Sequence, residues 1–349
     1  MCLQEQNNTL VLVQQWNTVM KRAFWILTSA VFLSPSAHAS DWQECASITG
    51  DSARLACYDK LAKVEPTHAV SSDRVQNPVA PDDTSSAPVP QAKALNKRID
   101  QEKQANSNAF LMRAYKPNYF LPVTYTTNRL DNPVYDFKPQ QIESKFQLSF
   151  QFNWWDHPFG TDSRFYFAYT QLSLWQTYNT ESAPFRETNY EPEAGLDVTI
   201  NQDLMGLNFR KVRASFIHQS NGQGGLRSRS WNRLALQTAF GRGNFAGALR
   251  GWYRIPESRA TDDNPDITDY LGYGDLLLAY KFPKGTLSAT LRNNLKSNNR
   301  GSIEIDYSFP LNKHIKGYVQ YFNGYGESLI DYNRSINRIG IGIALTDWL

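Results

Sequence analysis

The chain has 349 residues, with 36 Lys and Arg against 33 Asp and Glu, a formal net charge of +3 and 13% aromatic residues. So small a charge argues against a nucleic-acid partner, and after the N-terminal region no apolar run reaches the roughly 18 residues of a membrane helix. A mean hydropathy of −0.52 suits a soluble protein, yet it also suits a membrane barrel, whose apolar-out, polar-in alternation averages to an unremarkable value.

Met20-Lys21-Arg22, the apolar stretch Ala23 to Leu33 and Ala37-His38-Ala39 read as a secretory signal over residues 20–39, with a basic start, an apolar middle and small residues before the cleavage point. Residues 1–19 precede it as a doubtful N-terminal extension. In the exported segment 40–63, the two lone cysteines Cys45 and Cys57 are predicted to form a disulfide in an oxidising periplasm. Residues 64–108 carry Pro66, Pro78, Pro81, Pro88 and Pro90 among Ser, Asp, Gln and Ala. That composition cannot bury a core, so a disordered linker is expected, with a loose helix over 96–106 at most.

From 109 to 349 the pattern changes to period two. Lys145-Phe146-Gln147-Leu148-Ser149-Phe150-Gln151-Phe152-Asn153-Trp154 alternates without a fault, as a strand does when one face meets lipid. Strand-like runs fall near 117–127, 143–155, 163–177, 187–201, 206–220, 228–241, 244–256, 269–282, 285–295, 300–310, 313–323 and 335–348. The fold class is therefore all-β: a twelve-stranded antiparallel transmembrane β-barrel behind an N-terminal periplasmic extension. An even number of antiparallel strands closes without edges, which a bilayer requires. The abundant Tyr and Trp suit the headgroup level at both interfaces.

The chemistry is concentrated in the run before and after Asn221. In an extended Phe216-Ile217-His218-Gln219-Ser220, His218 and Ser220 point the same way, about 6.6 Å apart along the strand. If the chain turns back symmetrically about Gly225, Asn232 of Ser228-Arg229-Ser230-Trp231-Asn232 falls opposite His218, close enough for its amide to hold the imidazole. His218 shares parity with Val212, Ala214 and Phe216, so this Ser-His-Asn set lies on the apolar face. A nucleophile placed there suits a lipid ester better than a water-soluble substrate.

These residues, with Pro184-Phe185-Arg186-Glu187-Thr188-Asn189-Tyr190-Glu191-Pro192, Thr261-Asp262-Asp263-Asn264-Pro265-Asp266-Ile267-Thr268 and Gly324-Tyr325-Gly326-Glu327-Ser328-Leu329-Ile330-Asp331-Tyr332, resemble the outer membrane phospholipase A family of Gram-negative bacteria from about Phe110 to Leu349. The resemblance implies a calcium-dependent outer-membrane enzyme that cleaves sn-1 and sn-2 acyl esters of phospholipids and lysophospholipids and is active as a homodimer. It implies Ser220 as nucleophile, His218 as base, Asn232 as orienter, and the amides of Ser220 and Gly222 as oxyanion donors. It also implies calcium held by Ser228, the Gln223 carbonyl and Ser182 of a second subunit. Gln171 reads either as the family's interface glutamine, pairing subunits within the bilayer, or as an ordinary barrel-interior residue. The Asp262 to Asp266 cluster reads either as a calcium-chelating loop or, the preferred reading, as a capped, solvated one. The competing class, a non-enzymatic outer-membrane pore, would carry charged constriction loops and have no use for a lipid-facing histidine.

Overall fold

Residues 45, 47–50, 52–55, 57, 91–104, 112–128, 130 and 134–349 are described by a computed structural model. The predicted extension 1–19, signal 20–39 and most of the 40–90 region lie outside the described residues. The chain forms two units, Met1–Asp82 and Asp83–Leu349. In the first, Cys45 and Cys57 are joined by a disulfide with their Cα atoms 5.6 Å apart.

The second unit contains helix α1 (Lys93–Gln104), the short strand β1 (Arg113–Ala114), and twelve long strands: β2 (Asn118–Thr126), β3 (Ile142–Asp156), β4 (Ser163–Trp175), β5 (Phe185–Leu204), β6 (Leu207–Ser220), β7 (Ser230–Arg242), β8 (Phe245–Ile255), β9 (Gly274–Phe282), β10 (Gly285–Asn293), β11 (Gly301–Pro310), β12 (Lys316–Gly324) and β13 (Ile336–Thr346). Each long strand pairs antiparallel with the next, and β13 returns to β2, so the sheet closes into a barrel without edges. The predicted run 269–282 is corrected at its start: Thr268–Leu271 form one helical turn, α2, and the strand begins at Gly274.

Period two decides the two faces of the wall. Along β3, Leu148 is 49% and Trp154 51% exposed, whereas Lys145, Ser149 and Gln151 are buried inside. A charge removed from water costs several kcal/mol unless it is paired, and the lumen pairs its charges in a chain. Arg186 on β5 meets Glu143 at 2.8 Å and also meets Asp331. Arg338 bridges Glu143 and Glu327 at 2.8 and 2.9 Å, and Lys145 closes on Glu327 at 3.1 Å.

The segments 184–192, 261–268 and 324–332 meet one another at the barrel mouth that carries the β6–β7 loop. Besides the Arg186–Asp331 pair, the backbone amides of Leu329 and Ile330 donate to Asn189 and Glu187 at 3.0 Å each, and the Tyr332 hydroxyl donates to Asp266. Leu329, Ile330 and Asp331 are buried there.

The other mouth holds α1, which corrects the expectation of a disordered linker over residues 91–104. Ala92 and Leu95 are buried against Ala246, with Ile99, Ala239 and Leu349 packed around them. Gly241 admits the helix: a Cβ there would lie 3.1 Å from that of Ala92 and 3.3 Å from that of Leu95. Backbone bonds Gly243 to Gln91 (2.9 Å) and Ala94 to Gly243 (3.0 Å) fix its start. Arg98 donates to the Ala114 carbonyl, and Glu102 pairs with Lys211 at 2.8 Å. Burial would push the Glu102 carboxyl up, but Lys211, Arg98 and Arg113 hold it well below the usual carboxylate range. Apolar contacts at a spacing of three to four residues, too few to stand out in a polar sequence, are enough to order it once the barrel wall is present. Among the described residues no helix is long and apolar enough to cross a membrane.

Candidate active site

β6 and β7 pair in the register Phe216↔Leu234, Ile217↔Arg233, His218↔Asn232 and Ser220↔Ser230. Ile217 and Arg233 are buried inside, while Phe216 and Leu234 are 45% and 53% exposed on the outer wall. Alternation therefore puts His218, Ser220 and Asn232 on that outer wall. His218 Nδ1 lies 2.8 Å from Asn232 Oδ1. A carbonyl oxygen only accepts, so Nδ1 carries a hydrogen, and it is Nε2 that holds the lone pair of the neutral ring.

The lateral row through Ser220 runs Leu148↔Gln171↔Tyr190↔Ser220↔Ser230 across five strands. Leu148 and Tyr190 are both exposed on the outer wall, so Gln171 faces outward and is no interior residue. Its Oε1 accepts from the Tyr169 hydroxyl at 3.1 Å and its Nε2 donates to Ser173 at 3.2 Å, which makes a short polar track on an otherwise apolar face.

The loop after Ser220 is built around Asn221, which sequence reasoning passed over. Its side chain is buried. Its Oδ1 accepts from the amides of Gln223 (3.3 Å) and Arg229 (3.0 Å), and its Nδ2 donates to the Arg227 carbonyl at 2.8 Å. Between them Gly222 adopts φ +64°, and a Cβ on it would press within 3.1 Å of the Tyr190 ring. Among the described residues the Gly222 amide has no acceptor, whereas its neighbours' amides do. The cue was the Asn-Gly pair at the end of a strand, a turn signal with a side chain able to cap its own loop.

Gln223 and Ser228 lie on this loop, and Ser182 is exposed in the β4–β5 connection. Ser228 Oγ donates to Asp263 at 2.5 Å, bringing a carboxylate to the loop's edge. Serine hydroxyls, a loop carbonyl and a carboxylate are hard oxygen donors, the type that calcium takes, so the residues fit that ion. The segment 261–268 is anchored rather than simply solvated. Both oxygens of Asp262 accept from Arg254 Nη2, at 2.6 and 2.8 Å, and the buried Asn264 accepts from the Ser230 amide at 3.0 Å.

Residues 95–345 match the family described as Phospholipase A1. The chain belongs to that family. It is 40% identical over 249 residues to the phospholipase A1 of Klebsiella pneumoniae, spanning 70% of this chain and 85% of that one. The solved structure of an active-site asparagine-to-alanine variant of Escherichia coli outer membrane phospholipase A, at pH 6.1, is 38% identical with a TM-score of 0.68, covering 72% of this chain and 98% of the other. The Salmonella typhi outer membrane phospholipase, solved as a dimer with bound calcium, is 38% identical with a TM-score of 0.66, covering 70% and 96%. This phospholipase A1 relative is accordingly a carboxylic ester hydrolase of the bacterial outer membrane, folded as a twelve-stranded barrel.

Because an orienting amide is neutral and the ring keeps some productive rotamers without it, Asn232→Ala is expected to lower kcat by more than about tenfold yet less than His218→Ala does. Fatty-acid release from detergent-dispersed phospholipid measures this. A wild-type rate would mean that the 2.8 Å contact does not serve the chemistry.

Proposed function

We propose that this protein hydrolyses phospholipid acyl esters at its outer wall through Ser220, His218 and Asn232. What carries the reading is the His218–Asn232 contact on a lipid-facing surface with Ser220 on the same side of the strand. Ser220 Oγ attacks the ester carbonyl as His218 Nε2 takes its proton. The adduct collapses by breaking the C–O bond, and the proton passes to the departing lysophospholipid oxygen. Water then enters, gives a proton to His218 and attacks the acyl-enzyme; the fatty acid leaves as Ser220 recovers its hydrogen. The free amide of Gly222, with that of Ser220, faces the developing oxyanion.

Ser228, the Gln223 carbonyl and Ser182 of a second copy would hold calcium, with Asp263 beside them. When bound, the ion adds positive charge where the oxyanion forms. One copy offers too few of these oxygens for a cation that takes six to eight, and this supports an active dimer. So does the position of Gln171, a polar group facing lipid one strand from Tyr190 and two from Ser220, whose amide, beyond its bonds to Tyr169 and Ser173, can also bond to a second copy. The Salmonella typhi relative, solved as a calcium-bound dimer, favours the same reading. A pore is disfavoured by the lumen itself, where Arg186, Glu143, Arg338, Glu327 and Lys145 form a buried chain of ion pairs.

Calcium is expected to raise the dimer fraction of detergent-solubilised protein, and dimerisation to tighten calcium binding by the same factor. Chelation should return the protein to an inactive monomer. Equal cross-linked dimer fractions with and without calcium, or full activity from a species sedimenting as a monomer, would overturn this part of the proposal.

A further inference from the structure

The side chain that fixes His218 is itself ambiguous. An asparagine amide has nearly the same shape when turned by half a circle, but the two orientations present opposite groups to the ring. With Oδ1 toward His218 Nδ1, as observed at 2.8 Å, the ring hydrogen sits on Nδ1 and Nε2 can receive a proton. With Nδ2 toward the ring, the amide donates, Nδ1 must accept, and the hydrogen moves to Nε2. The base is then lost without any movement of the backbone.

What selects the first orientation lies at the far end of the amide. Asn232 Nδ2 donates to Glu257 Oε1 at 3.4 Å. A carboxylate can only accept, so the turned amide would set its oxygen against those of Glu257, lone pair against lone pair. Resting on the reading of the site above, we propose that Glu257 is a positioning residue which, through Asn232, keeps His218 in the proton-accepting tautomer. It acts by excluding the wrong amide orientation, so a contact as long as 3.4 Å suffices.

The fold places Glu257 for this. Ile255, the last residue of β8, pairs with Asn232, and Glu257 follows two residues later, past Pro256. Arg254 pins the same segment from the other side, through Asp262 and through the Pro265 carbonyl at 3.0 Å. The carboxylate therefore arrives from the segment just past a third strand, β8, and not from either member of the β6–β7 hairpin.

The test is a set of four variants in the full chain, assayed for kcat and KM on mixed phospholipid micelles. Heat-modifiable gel mobility would show that each barrel is folded. Glu257→Leu, which removes the acceptor, is expected to lower kcat about tenfold with KM unchanged, within the range set by loss of Asn232 itself. Glu257→Gln keeps an acceptor oxygen and should stay within about threefold of wild type. Because the effect passes through Asn232, Glu257→Leu should cost nothing further in an Asn232→Ala background, a fully non-additive cycle. Should Glu257→Leu not fold, Glu257→Ala takes its place in every comparison.

A wild-type kcat for Glu257→Leu while Asn232→Ala is impaired would overturn the role of Glu257 alone. So would additive losses, or an equal loss in Glu257→Gln. A wild-type rate for Asn232→Ala would instead remove the triad on which the inference rests.

Discussion

Replacing Ser220 or His218 by alanine is expected to abolish phospholipid hydrolysis, by more than about 10³-fold, while the barrel folds and inserts as before. Both side chains sit on the outer wall, outside the lumen's ion-pair chain, so removing them takes nothing from the packing that closes the barrel. The double variant should be no worse than either single one, because in the proposed mechanism nucleophile and base act as a unit. Fatty-acid release, read beside heat-modifiable mobility, separates lost chemistry from lost folding. Retention of more than a few per cent of the rate by Ser220→Ala would remove it as nucleophile.

Arg186→Leu is expected to act in the opposite way, damaging the scaffold rather than the chemistry. Its guanidinium is buried between Glu143 and Asp331, and its removal leaves the buried Asp331 carboxylate without this cation and Glu143 with Arg338 alone. Breaking a buried pair by deleting one partner costs about 3–5 kcal/mol. The unfolding midpoint in guanidinium chloride should fall accordingly, and activity should fall only with the folded fraction. An unchanged midpoint would show that Arg338, which also pairs with Glu143 at 2.8 Å, takes over the whole burden.

The parts of this fold that repeat at short range were legible in the sequence. Alternation along β3 and β6 revealed the two faces, and symmetry about Gly225 was enough to set Asn232 opposite His218, because a hairpin register follows from its turn. What stayed hidden joins positions far apart in the chain. Glu257 lies 25 residues from Asn232, Asp263 35 from Ser228, and Asp331 145 from Arg186. No local period records such pairings. Helix α1 was legible only as a loose helix over 96–106, and its start and docking were hidden for a related reason: its apolar contacts at Ala92, Leu95 and Ile99 gain meaning only against Ala239 and Ala246. The turn at Thr268–Leu271 was absorbed into a strand because Ile267 and Leu271 are buried, and apolarity alone does not distinguish a buried helical turn from a buried strand.

A site on the outside of a barrel wall meets only molecules already dissolved in the same membrane. On the reading proposed for Ser220, the governing quantity is how densely substrate is packed in the plane, and arrival is by lateral diffusion to the outer wall on which Tyr190 and Leu234 are exposed. Moles of lipid per litre of suspension then say little. Diluting the lipid with inert detergent at constant total lipid should slow the reaction, whereas diluting the whole suspension should leave the rate per enzyme almost unchanged. On that reading the wall converts an ester hydrolase into a gauge of what its surrounding leaflet contains.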